Sequence, residues 1–123
     1  MSGPTGPPDL ERPNRVVAYV PDLMDRSRLA RLGSVTVLYV PDLVSLVAEA
    51  QAEDLVVVDL SRPGVVEVLA QVPGRVVGFA SHVDAALIEA ARAAGCGEVL
   101  PRSRFFATLG ARFGDAGGTS SNG

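Results

Sequence analysis

The chain has 123 residues, 47% of them hydrophobic, which bounds it to one domain with a single sizeable core. A net charge of −3 and a sequence pI near 5.0, with basic residues that are scattered and all Arg, exclude the clustered cations that a nucleic-acid backbone demands. Cys96 is the lone cysteine, which excludes an internal disulfide framework, and no run of about 18 apolar residues and no basic-then-apolar leader is present, so a cytoplasmic chain without membrane contact is expected.

Residues 1–14, rich in Gly and Pro, have little to bury and read as a disordered tail, as do residues 114–123, "GDAGGTSSNG", leaving a domain at 15–113. Within that domain short Val-rich runs alternate with segments of helical period. "RVVAYV" precedes "PDLMDRSRLARLG", and "VTVLYV" precedes "PDLVSLVAEAQAE". "LVVVDL" precedes "PGVVEVLAQV", "RVVGFA" precedes "DAALIEAARAAG", and "EVLP" precedes "SRFFATLGARF". Five βα units follow from this order. The strands are continuously apolar rather than alternating, so both of their faces are to be buried, as in a parallel sheet between two helical layers. The fold class read from the sequence is α/β, a doubly wound (βα)5 parallel five-stranded sheet.

Tyr-Val-Pro-Asp-Leu is written twice, at 19–23 and 39–43. Each copy reads as a strand-to-helix junction, with Pro21 or Pro41 at the first helical position and Asp22 or Asp42 in the first turn, where the helix dipole favours negative charge. Ligands of open α/β sheets gather at the carboxyl ends of the strands. That edge is expected to hold Asp22, Asp59, Ala80, Ser81 and Arg102. Asp59, closing four apolar residues in "VVVDLSRPG", has no packing reason to be acidic. The bland alternative is a solvated strand-end carboxylate that caps its loop. His82, the sole histidine, reads as a surface or helix-start residue. With no second histidine, one cysteine, no Gly-x-Ser-x-Gly elbow and no phosphate-binding Gly-rich loop, no catalytic constellation is legible and the chain is not expected to be an enzyme.

With "VVVDLSRPG" around Asp59, "FASHVD" at 79–84 and "AAGCGEVLPRS" at 93–103 in that order, the chain over residues 15–113 resembles the receiver domain of bacterial response regulators, which implies a flavodoxin-like, CheY-like fold. Asp59 matches the family's phospho-accepting Asp, with Pro63 and Gly64 matching the Pro-Gly that often follows. "FASHVD" at 79–84 is similar to the strand-4 segment, and "AAGCGEVLPRS" at 93–103 to the stretch leading through strand 5 to the family's Lys-Pro. Several positions depart from the pattern. The family's metal-holding acid pair is reduced to Val20-Pro21 or Pro21-Asp22, so Asp22 and Asp59 are the remaining candidates for a magnesium ion, a cation that wants several oxygen ligands. The register of His82 and Asp84 puts Ala80 at the Thr or Ser position, and a slip of one residue puts Ser81 there. Arg102 stands at the Lys position, Ser103 at the Pro, and Val99 at the switching aromatic.

The resulting expectation is a stand-alone, degenerate receiver-like domain, a pseudo-receiver, acting in bacterial signalling through phosphorylation-independent protein–protein interaction and requiring no cofactor. Two other readings stand beside it. One is a single-domain response regulator phosphorylated on Asp59 by a histidine kinase with Asp22, magnesium and Arg102. The other is a flavodoxin-like module binding a small metabolite or nucleotide. In the last helix Phe105, Leu109 and Phe113 share one face. Phe106 falls off that stripe and is expected to be exposed. By the resemblance, Val99, Phe105 and Phe106 would then belong to a helix 4, strand 5, helix 5 surface for docking or homodimerisation.

Overall fold

A computed structural model describes residues 15–31 and 35–109. The segments expected to be disordered, 1–14 and 114–123, lie outside the described residues, as does Phe113.

Five strands, β1 (Arg15–Tyr19), β2 (Thr36–Tyr39), β3 (Leu55–Asp59), β4 (Arg75–Ala80) and β5 (Glu98–Pro101), form one sheet in the order β2-β1-β3-β4-β5. Every pairing is parallel. The helices are α1 (Leu23–Ala30), α2 (Leu43–Glu49), α3 (Val65–Val68), α4 (Ala85–Ala93) and α5 (Arg102–Ala107), with a 3-10 turn, Leu69–Gln71, extending α3. The chain moves outward from β1 to β2 and then returns past β1 to β3. The carboxyl ends of β1 and β3 therefore flank the point where strand order reverses, the place such sheets use for ligands.

The three central strands β1, β3 and β4 are buried on both faces, β3 along its whole length, while the edge strands β2 and β5 are partly exposed. On one face Val17, Val56, Val58 and Val76 pack with Leu46 of α2, Val65 of α3 and Ala91 of α4. On the other, Val16, Ala18, Val57, Val77 and Phe79 pack with Leu29 of α1 and with Phe105 and Leu109 at α5. Gly78 in mid-β4 has a packing reason, because a Cβ there would come within 2.6 Å of the Leu60 side chain that lies over it. α5 leaves the carboxyl end of β5 and lies over the same face as α1, with Phe105 and the following Leu109 in that face's core.

The repeated junction starts its helix two residues later than the sequence suggests, at Leu23 and Leu43 rather than at Pro21 and Pro41. Asp22 and Asp42 are N-caps rather than first-turn residues, and Pro21 and Pro41 precede the caps. Asp22 Oδ1 accepts from the backbone N–H of Met24 at 2.8 Å and of Asp25 at 3.2 Å, and Asp42 Oδ1 accepts from Ser45 at 2.8 Å. A short carboxylate on extended backbone satisfies the amides that a helix start leaves unpaired, which a proline at the cap could not do. Asp84 caps α4 in the same way through Leu87 N–H at 2.9 Å.

The expected surface on Val99, Phe105 and Phe106 is corrected. Phe105 is fully buried and stacks on Phe79 with ring centroids 5.0 Å apart. Phe106 is half-buried, edge-on to Phe79 at 5.4 Å, with the Arg28 guanidinium of α1 over its ring at 5.1 Å. Successive positions of this short helix both reach Phe79, one above and one beside it. Val99 packs into the α2–α4 layer instead, so the three residues do not share a surface.

Candidate functional site

The carboxyl edge collects charge. Asp59 ends β3 opposite Phe79 of β4 and is buried rather than solvated. Its Oδ1 accepts from the Ser61 amide at 3.0 Å and from the Ser61 hydroxyl at 2.5 Å, while its Oδ2 lies 3.4 Å from Arg62 Nε. The Arg62 amide returns to the Asp59 carbonyl at 3.2 Å, which closes a tight turn under the carboxylate. Both side-chain oxygens are thus engaged by the two residues that follow Leu60. The loop-capping alternative therefore describes the hydrogen bonds, while the burial differs from it.

Arg102, the first residue of α5, points at α1. Its Nε donates to Asp25 Oδ1 at 3.2 Å and its Nη2 to Asp25 Oδ2, a fork on both oxygens of one carboxylate. The same Nη2 lies 3.6 Å from Asp22 Oδ2. Asp25 is only 2% exposed, so this ion pair is largely shielded from water on the acid's side. The sequence reading missed Asp25, because an acid in the first turn of a helix ordinarily faces water and favours the dipole. A signal was present: Asp25 and Leu29 stand at i and i+4, so an acid occupies the helix's buried stripe.

The electrostatics agree with the geometry. The hydrogen bond to Asp25 and the charges of Asp25, Asp22 and Asp59 hold the Arg102 guanidinium above its ordinary pKa, against the effect of desolvation. Asp22 is held below the usual carboxylate range, first by the Asp25 and Met24 amides that it caps and then by Arg102 and Arg62.

The remaining sequence candidates sit at the same edge in lesser roles. Ala80 ends β4 beside Pro101 and is buried, bringing no hydroxyl to Asp59. Ser81 follows it as an exposed residue. The His82 ring is exposed, with Nε2 3.9 Å from Asp84 Oδ2.

A divalent cation does not fit these residues. Asp25 has given both oxygens to a guanidinium, Asp59 has given both to Ser61 and Arg62, and Asp22 has turned one to the helix amides. Two guanidinium groups already stand among the acids. Among the described residues no three His, Cys, Asp or Glu side chains come together to hold a metal ion. The edge is a set of ion pairs in which Asp25 and Asp59 are engaged through both oxygens and Asp22 keeps Oδ2 turned toward Arg102 at 3.6 Å.

No protein-family model matches the sequence, and no curated protein matches it. Solved structures do. A response regulator from Hahella chejuensis superposes with a TM-score of 0.71 at 19% identity, covering 89% of this chain and 98% of that one. The phosphorylated cyanobacterial phytochrome response regulator RcpA gives a TM-score of 0.65 at 17% identity, over 84% and 91% of the two chains. A response regulator from Thermotoga maritima gives 0.63 at 12% identity, over 81% and 97%. The fold of this chain is the CheY-like receiver fold.

Proposed function

We propose that this receiver-fold chain is a pseudo-receiver, a signalling module that works by docking to protein partners without phosphorylation of Asp59. The observation that carries the reading is the commitment of the edge. The cation at β5–α5, which the resemblance would turn toward a phosphoryl group, is forked onto Asp25, and Asp59 is held by its own turn. An aspartate nucleophile needs an oxygen free to attack in line and a cation positioned for the charge that develops. Here both Asp59 oxygens are engaged by its turn and Arg102 is turned to Asp25, which supports the docking reading. The absence of any helix long and apolar enough to cross a membrane among the described residues fits a module that meets its partners in water.

Intact-mass measurement after incubation with acetyl phosphate and magnesium, wild type beside Asp59→Asn, tests this. The expected result is no phosphoryl adduct on either protein. An adduct on the wild type alone would overturn the reading in favour of a phosphorylated single-domain response regulator, which the strand-end position of Asp59 favours. A homodimer through α4, β5 and α5 is retained only on the side of Val99, since Phe105 and Phe106 face the other layer.

A further inference from the structure

The misfit of a metal at the carboxyl edge has a cause within the chain. Asp22 and Asp25 stand three residues apart at the start of α1 and Asp59 ends β3, and the charges of all three act on Arg102. Such carboxylates repel one another and require positive charge among them. Arg102 supplies it from the first residue of α5, with two nitrogens on Asp25 and one within 3.6 Å of Asp22.

We propose that the Arg102 guanidinium is the resident cation of this edge, seated against Asp25 and Asp22, the pair of carboxylates that would otherwise draw a cation from solution, and that it thereby fixes the β5–α5 junction onto α1. The inference rests on the committed-edge reading above, and its readout is the metal response of unfolding rather than phosphoryl transfer. A guanidinium stays charged at every pH a protein survives, and its planar fork matches a single carboxylate. It is also tethered, so it occupies the site at an effective concentration that a free ion in solution does not reach. The junction that a removable ion would otherwise hold is here held permanently. Removing the side chain leaves Asp25 as a buried charge without a partner, a state that either loses stability or recruits a cation from solution.

Thermal unfolding of the wild type, Arg102→Met and Arg102→Met with Asp25→Asn, each with and without manganese chloride, tests the proposal. Manganese is expected to give no saturable rise in the wild-type Tm. Arg102→Met should melt about 5 °C or more lower than the wild type and regain a saturable part of that loss with manganese. Adding Asp25→Asn should abolish the manganese response. If Arg102→Met is unfolded without metal, recovery of its far-ultraviolet circular dichroism on adding manganese supports the proposal and failure to recover overturns it. Saturable manganese stabilisation of the wild type, or a folded Arg102→Met indifferent to the ion, also overturns it.

Discussion

Asp54 shows how much one side chain can organise at the end of the sheet opposite the candidate site. Its Oδ2 accepts from Arg15 Nη2 at 2.8 Å and from the Gln51 amide at 2.8 Å, and its Oδ1 from Arg15 Nε at 3.2 Å. Arg15 also reaches the Glu49 carbonyl, so the start of β1, the end of α2 and the approach to β3 are tied at one carboxylate. The Arg15 side chain is 30% exposed, which weakens the pair through solvent screening. Asp54→Ala is expected to cost about 1–3 kcal/mol, toward the lower end for that reason. The hydrogen bond from Arg15 holds the Asp54 carboxyl below its usual range, against desolvation. The unfolded chain therefore takes up this proton first. Stability from Asp54 is complete above the ordinary carboxylate pKa near about 4 and is lost as pH falls through that value toward the folded pKa. Urea unfolding of wild type and Asp54→Asn along an acid series should show the steeper loss in the wild type, and parallel profiles would contradict the assignment.

At the scale of elements, α5 was the hardest to read. Its stripe at Phe105 and Leu109 is legible from spacing, and both residues are buried. Phe106 is half-buried rather than exposed, because periodicity ranks faces of an isolated helix and says nothing of a neighbouring ring wide enough to touch two positions. Phe105→Ala should cost about 3–5 kcal/mol, the range for emptying an aromatic site in a core. Phe106→Ala should cost less, since that ring keeps one side toward Arg28 and water. Urea midpoints of the two variants rank them, and a greater loss for Phe106→Ala would refute the packing described. Asp25 marks the same limit from the polar side: α1 was legible as a helix, while the partner of its buried acid lies 77 positions along the chain. By contrast Asp59, Ser61 and Arg62 are neighbours in sequence, yet which of them would close on the carboxylate depends on turn geometry that residue types do not fix.

The whole molecule was the most legible level, because five Val-rich runs separated by helical spacings leave few arrangements other than a parallel sheet covered on both faces. Cys96 offers a probe of that whole. It is buried between α4 and β5, with Sγ 3.1 Å from the Glu98 carbonyl, and burial pushes its thiol pKa up. Both effects suppress the thiolate that reacts. Labelling by a disulfide reagent is expected to be negligible in native buffer and to rise with urea in step with the loss of circular dichroism. Fast labelling without denaturant would mean that the α4–β5 side opens separately from the rest. Arg15 begins β1 at the end of the sheet opposite Arg102, so an arginine–aspartate fork stands at each end, Arg15 on Asp54 and Arg102 on Asp25, and each end of the sheet is latched to a neighbouring element by its own guanidinium.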